Sequence, residues 1–246
     1  MLVGTSLKMY FTHARTVEWT RTVAAGLRER SLDGVEPFVI PQFPSIPACL
    51  EAARNSGLEV GAQDVATHDA GAFTGEVSAA VLAEIGCRYV EVGHAERRAL
   101  FGETDDIVAA KADAALRHGL TPIVCVGEPD RGDPARAIDH CLDQIRAALC
   151  AADAADRDGE IVIAYEPVWA IGAPEPAGVD HIRAVCSALR DAPPARPRRR
   201  RVIYGGSARP GLLPRIADAV DGIFLGRNAH EPSAFGAVLD DAASLG

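Results

Sequence analysis

The sequence predicts an α/β protein of one domain, a closed (βα)8 barrel over residues 1–246. Three observations predict it. Short apolar runs bounded by Gly and Pro alternate with stretches of helical period, and the alternation repeats eight times. Strands separated by helices pair in parallel, because each crossover carries the chain back to the same end of the sheet. Eight such units in 246 residues match the size of a closed barrel. The competing architecture, an open doubly wound sheet, favours a glycine-rich first turn, and no G-x-G-x-x-G occurs.

The units follow in order. A strand at 2–8 (LVGTSLK) opens apolar, ends in Ser6 and Lys8, and precedes a helix at 15–29. The second strand, PFVIP at 37–41, leads to a helix at 46–55. The third, LEVGAQ at 58–63, ends at Gln63 and Asp64 before a helix at 78–85. The fourth, YVEVG at 89–93, carries Glu91 and runs into GHAERR, with His94, Glu96 and Arg97, ahead of a helix at 107–118. The fifth, PIVCVG at 122–127, carries Cys125, meets Glu128 and precedes a helix at 134–152. The sixth, IVIAYE at 161–166, ends on Glu166, followed by PVWAIG and a helix at 179–190. The seventh, VIYG at 202–205, opens YGGS with Ser207 and precedes a helix at 211–219. The eighth, GIFLG at 222–226, ends at Gly226 and Arg227 before a helix at 232–244. Two long segments, CAADAADRDG at 150–159 and PARPRRRR at 194–201, read as helix-to-strand loops on the face away from chemistry. The basic run reads as a solvated loop, with a local anion patch as the alternative.

Bulk properties narrow the function. The chain has 34 acids against 25 bases, a net charge of −9, which disfavours nucleic-acid and anionic-membrane partners. Six scattered cysteines form no C-x-x-C pair and read as small hydrophobes in a reducing compartment. Met1 leads directly into a strand, so no secretory leader is expected, and no apolar run approaches the roughly 20 residues that span a bilayer. A cytoplasmic protein is the expectation.

In a (βα)8 barrel, chemistry sits at the C-terminal ends of the strands. Lys8 alone reads as a snorkelling lysine, His94 as a loop histidine, and Glu166 as the close of a strand. Together they place a cation, an imidazole and a carboxylate at three strand ends of one barrel, which favours function. YGGS after strand seven and LGRN after strand eight stand where such barrels hold phosphate on backbone N–H groups. Glycine lets the backbone approach the anion.

These residues carry a resemblance. GAQDVATHDAGAFTGEVS, VGHAERRALFGET, YEPVWAIG, YGGS and DGIFLG resemble the triosephosphate isomerase family, in the family's order and along essentially the whole chain. The resemblance implies a TIM barrel acting on a sugar phosphate, with no metal or cofactor. It implies Glu166 as the base that moves a proton between neighbouring carbons, His94 as the electrophile at the carbonyl, and Lys8 as the cation that stabilises an enediolate. It further implies Glu96 supporting Lys8, Glu128 and Arg97 behind the site, and N–H donors to phosphate at Gly172, Ser207, Gly226 and Arg227. Residues 167–177 resemble the closing lid, and the loop from Gln63 to Glu76 resembles the one through which the family forms homodimers.

Four departures bear on the substrate. The family has Asn-Trp-Lys where this chain has Ser6-Leu7-Lys8, and serine where it has Ala95. The lid reads Ile171-Gly172-Ala173-Pro174-Glu175-Pro176, with two prolines that fix φ. The double glycine after strand eight is Gly226-Arg227. Smaller side chains at 6 and 95 leave room for one more hydroxymethyl group, and a guanidinium can grip phosphate or a sugar hydroxyl bidentately. Ser6 and Arg227 together resemble the branch of the family that acts on four-carbon ketose phosphates, converting L-erythrulose 1-phosphate to D-erythrulose 4-phosphate. Dihydroxyacetone phosphate and glyceraldehyde 3-phosphate stand as the other substrate pair. A non-catalytic phosphate-binding barrel and a Schiff-base aldolase are the alternatives from other classes; the second needs a lysine at a mid-barrel strand end, and the chain has only Lys8 and Lys111.

Overall fold

Eight parallel strands close on themselves in chain order in the computed structural model, which describes residues 1–30 and 32–245. They are β1 (Leu2–Ser6), β2 (Glu36–Ile40), β3 (Glu59–Ala62), β4 (Tyr89–Val92), β5 (Thr121–Val126), β6 (Ile161–Tyr165), β7 (Arg200–Tyr204) and β8 (Gly222–Leu225). The ring closes where β1 pairs with β8, Leu2 opposite Gly222. The helices are α1 (His13–Arg28), α2 (Ile46–Ala53), α3 (Ala79–Ile85), α4 (Ala95–Phe101), α5 (Asp105–Arg117), α6 (Pro134–Ala154), α7 (Val179–Asp191), α8 (Leu213–Ile216) and α9 (Pro232–Ala243). No helix among the described residues is long and apolar enough to cross a membrane.

The strands are buried on both faces, so they read as continuous apolar runs. Their period of two splits the apolar residues into two cores. Leu2, Phe38, Ile40, Tyr89, Ile123, Val162, Ile203 and Phe224 fill the barrel interior. The alternate positions pack against the helices. A Cβ at Gly4 would lie 1.9 Å from the Phe38 ring, so glycine there is what lets the phenyl group cross the barrel. Helix starts are fixed by side-chain caps: Thr12 for α1, Ser78 for α3, Thr104 for α5 and Asp133 for α6. Thr104 is followed by Asp105 and Asp106, acids placed at the positive end of the helix dipole.

The structure corrects the sequence expectation in four places. β1 stops at Ser6, and Lys8 lies in the turn beyond it with φ of 46°. GHAERR, expected as loop, contains the helix α4, capped by His94. The helix expected at 211–219 is the four-residue α8, with Pro214 in its first turn. The basic run is a loop only as far as Arg199, with Pro194, Ala195, Pro197 and Arg199 exposed. Arg200 and Arg201 begin β7, and the Arg201 side chain, 8% exposed, meets Glu36 at 2.8 Å and Glu160 at 2.6 Å. The Arg198 side chain is also buried and pairs with Asp153. The anion patch fails for the same reason, since these guanidinium groups are neutralised by the protein's own acids.

Candidate active site

The polar residues gather at the C-terminal mouth of the barrel. Ser6 is the last inward position of β1, and the turn after it delivers Lys8. That turn is held by Gln63, whose Nε2 donates to the Lys8 carbonyl at 3.0 Å and to the Ile40 carbonyl at 3.2 Å. A left-handed φ is unfavourable for a side-chain-bearing residue, and such strain persists where neighbours enforce it. Lys8 Nζ donates to Glu96 Oε1 at 2.6 Å and lies 3.4 Å from His94 Nε2. Glu166 follows β6, its N–H bonded to the Val126 carbonyl at 2.8 Å. Gly205, just past the end of β7, makes room for it, since a Cβ there would sit 2.5 Å from Glu166 Cγ.

His94 Nε2 faces Glu166 Oε2 at 3.4 Å and Glu91 Oε1 at 3.9 Å. Its Nδ1 accepts the Glu96 backbone N–H at 3.1 Å, at the start of α4. Burial lowers the His94 pKa, but the hydrogen bond and charge of Glu166 and the charge of Glu91 act upward and carry the net direction. The hydrogen bond at Nδ1 decides the ring's state. A second proton there would meet the Glu96 N–H head-on, so the network assigns a neutral ring with its proton on Nε2. Burial pushes the Glu166 carboxyl up, yet His94 and Lys8 outweigh it and hold the group below its ordinary value. Burial also opposes the Lys8 charge, but Glu166, Glu96 and Glu91 raise its pKa above the ordinary lysine value. Glu91 goes the other way from Glu166: burial raises its carboxyl, Glu166 adds to this, and His94, Lys8 and Ser6 do not overcome them.

Ser6, Lys8, Glu91, His94 and Glu166 line a cavity of about 490 Å³, and Gly172, Ser207, Gly226, Arg227 and Asn228 line it as well. Gly172 has φ of 71° and Ser207 φ of 54°. Residues 167–177 are strapped over the cavity from several sides: Ser207 Oγ donates to the Ala170 carbonyl at 2.7 Å, and Arg227 Nη2 to the Gly172 carbonyl at 3.1 Å. The Ala177 N–H donates to the Tyr204 hydroxyl at 3.0 Å, and Arg209 pairs with Glu175.

Arg97 and Glu128 lie outside this cavity and apart from each other. Arg97 pairs with Asp64 at 2.8 Å and with Glu103. Glu128 accepts from Trp169 Nε1 at 2.8 Å and from the Tyr165 hydroxyl at 3.1 Å, and His181 is 3.2 Å away. Both clusters stand behind the strand ends and fix the backbone that carries the site. Sequence reasoning placed Glu91 at a strand end but gave it no role. The signal was available: a carboxylate two residues after Tyr89 in YVEV shares the inward parity of that buried tyrosine. Asn228 was missed; its amide donates to the Ala208 carbonyl at 2.9 Å and ties the two glycine loops together.

Glu91, His94 and Glu166 are, among the described residues, the one group whose ligand atoms all lie within 4.8 Å of one another, a spacing that could hold a divalent ion. The Lys8 ammonium already lies beside His94, so that corner of the cavity has its positive charge from the protein.

A closed (βα)8 barrel with a buried carboxylate, an imidazole and an ammonium at its mouth, facing two glycine loops, defines a class of enzymes that shift protons on small phosphorylated substrates. The chain belongs to the triosephosphate isomerase family, whose profile matches residues 1–242. It is 49% identical over 250 residues to an L-erythrulose-1-phosphate isomerase of Pectobacterium atrosepticum, covering 100% of this chain and 96% of that protein. It is 41% identical to a triosephosphate isomerase of Mycobacterium tuberculosis and 39% identical to one of Mycobacterium sp. (strain JLS), in each case over 92% of this chain and 90% of the relative.

Proposed function

We propose that the protein is a sugar phosphate isomerase that interconverts L-erythrulose 1-phosphate and D-erythrulose 4-phosphate. One observation carries the chemistry: a buried carboxylate and an ammonium each lie 3.4 Å from the same imidazole nitrogen. In this reading Glu166 removes the proton from the hydroxyl-bearing carbon beside the ketone. The electron pair forms the C=C bond of an enediolate, and negative charge develops on the former carbonyl oxygen. His94 Nε2–H and Lys8 stabilise that oxygen, and Glu96 orients Lys8. Glu166 then returns the proton to the neighbouring carbon, while the hydroxyl proton passes between the two oxygens at His94. Triosephosphate isomerase is itself the standard example of a neutral catalytic histidine at a helix N-terminus. Backbone N–H groups at Gly172, Ser207, Gly226 and Arg227 take the phosphate.

The four-carbon substrate is favoured by Ser6 in the cavity floor and by the relative that matches the whole chain at 49% identity. The triose pair is the second reading, favoured by the relatives at 39–41% identity. A Schiff-base mechanism is disfavoured, because Lys8 is paired and holds its proton more tightly than an ordinary lysine. We further propose a homodimer built through the loop from Gln63 to Glu76. Met9, Leu100 and Phe101 are 84%, 74% and 68% exposed, large apolar side chains that a partner surface would cover. The test of function is a side-by-side assay with L-erythrulose 1-phosphate and dihydroxyacetone phosphate; a higher kcat/KM for the triose would sink the four-carbon reading. Light scattering tests the dimer, and a particle of 25.9 kDa would refute it.

A further inference from the structure

We propose that Glu91, braced by Ser6, is the specificity-determining residue of the site and receives the terminal hydroxyl of a four-carbon ketose phosphate. The proposal rests on the four-carbon reading above. Its starting point is a carboxyl group that the proton shift does not use. Glu91 is 4% exposed on an inward position of β4, one layer above the apolar interior. A buried carboxyl in that place is costly unless its oxygens are paired. Oε2 accepts the Ser6 hydroxyl at 3.1 Å. Oε1 has only the Cys125 thiol, a weak donor at 3.9 Å, and lies 3.9 Å from His94 Nε2 on the cavity side. One oxygen is therefore fixed by the protein, and the other retains capacity toward the reacting centre.

The order of groups along the cavity gives this capacity a partner. The glycine loops with Gly172, Ser207 and Gly226 follow β6, β7 and β8, Glu91 stands on β4, four strands round the closed ring from β8, and all of them line one cavity with Ser6, Lys8, His94 and Glu166. A ketose phosphate held by its phosphate at the loops puts its ketone at His94. A triose ends at the next carbon. A four-carbon chain continues by one CH₂OH, toward Glu91. Ser6 sets the carboxyl plane so that Oε1 faces this group. Burial and the neighbouring Glu166 favour the protonated form of Glu91, which can both donate to and accept from a hydroxyl without adding negative charge beside the enediolate. A substrate without the hydroxyl leaves a buried polar atom unpaired, and sites built in this way discriminate strongly.

The test is a cycle between the residue and the hydroxyl. The kcat/KM of the parent, Glu91→Leu and the near-isosteric Glu91→Gln is measured with L-erythrulose 1-phosphate, its 4-deoxy analogue and dihydroxyacetone phosphate. In the parent, removing the terminal hydroxyl should cost about 10- to 100-fold, the range for a hydrogen bond to a strongly polar buried group. In Glu91→Leu the same removal should cost less than about 3-fold, with Glu91→Gln between the two. An equal penalty for hydroxyl removal in parent and both variants overturns the role of Glu91. A parent that isomerises dihydroxyacetone phosphate but not L-erythrulose 1-phosphate overturns the four-carbon reading itself, a result distinct from the first.

Discussion

Replacing Lys111 by methionine should destabilise the protein by about 3–5 kcal/mol, the usual cost of leaving a buried charge without its partner. Lys111 is on α5, its side chain 6% exposed, and Nζ donates to Asp64 Oδ1 at 2.6 Å and to Glu103. At such distances, with an effective dielectric near 20, each contact is worth about 6 kcal/mol of attraction. Against this stands the desolvation of three ions, several kcal/mol each, so the intact cluster contributes little net stability. The asymmetry appears on deletion. Methionine fills much of the same volume but leaves two buried carboxylates facing each other, with Arg97 alone to compensate them. For a chain of this size that loss lowers Tm by roughly 10 °C.

The assay is thermal unfolding at fixed protein concentration for the parent, Lys111→Met, and Lys111→Met with Asp64→Asn. The double variant removes one of the two stranded charges and should regain more than half of the loss. The pH dependence has a definite sign. Without Lys111 both carboxyls hold their protons more tightly in the folded state than in the unfolded chain. Their neutral forms are then favoured by folding, so the deficit is largest at neutral pH and shrinks as pH falls into the carboxylate range. A Tm within 2 °C of the parent, as an order of resolution, or a deficit that grows on acidification, would refute the reasoning.

Glu166→Asp withdraws the carboxylate by about one methylene, and a displacement near 1 Å costs on the order of 10²-fold in kcat; stability should change little, because Glu166 Oε1 has no partner to lose, and unaltered turnover removes Glu166 from the mechanism. Ser6→Asn places a larger side chain beside Glu91 and should shift the kcat/KM ratio toward dihydroxyacetone phosphate; a ratio that does not move defeats the space argument. Arg227→Gly releases the strap from the guanidinium to the Gly172 carbonyl and should raise KM for the phosphorylated substrate by about 5-fold, the worth of roughly 1 kcal/mol; an equal rise for a dephosphorylated analogue would show that the effect does not pass through the phosphate site. Because Glu166 lies below its ordinary value, its carboxylate stays ionised as pH falls, so the acid limb of kcat/KM, corrected for the substrate's own phosphate, should lie below the ordinary carboxylate range; a limb above it contradicts the assigned electrostatics.

The barrel was legible because its signals are local. Each strand is an apolar run of four to six residues with its own boundaries, and the helices between them announce parallel pairing. The strand-end residues were legible for the same reason, since a polar residue that ends an apolar run needs no partner to be noticed. What was not legible depends on contacts distant in sequence. Lys111 read as a mid-helix lysine because Asp64, 47 residues away, is what makes it a buried ion. Arg201 read as loop because its partner Glu36 belongs to another strand. GHAERR read as a loop because its helix is started by His94, whose imidazole is an uncommon cap. Glu91 was visible but mute: parity pointed it inward, and only the pairing with Ser6 tied it to a position where the chain departs from the family pattern.

That meeting resolves the charge balance of the site. Glu91, Glu96 and Glu166 surround the single ammonium of Lys8, and the substrate brings a phosphate dianion. Three ionised carboxylates there would repel both the phosphate and the developing enediolate. The fold removes the conflict by distance and by burial. In the proposed binding mode the phosphate sits at the glycine loops after β6, β7 and β8, beside Arg227, while Glu91 stands across the ring on β4. Glu96 remains partly exposed and is neutralised by its contact with Lys8. In the proposed mechanism Glu166 must be ionised to act as base, and His94 and Lys8 favour that form. Glu91 differs from Glu166 in that burial is not overcome there and its net direction is upward, and a carboxyl in its neutral form needs acceptors as well as donors. Ser6 satisfies one oxygen and nothing strong satisfies the other. An asparagine at position 6 would carry an amide donor deeper into the space that the extra hydroxymethyl group needs. The pair Ser6 and Glu91 is therefore coupled in function: the small residue makes the room, and the acidic one makes that room polar on one side only.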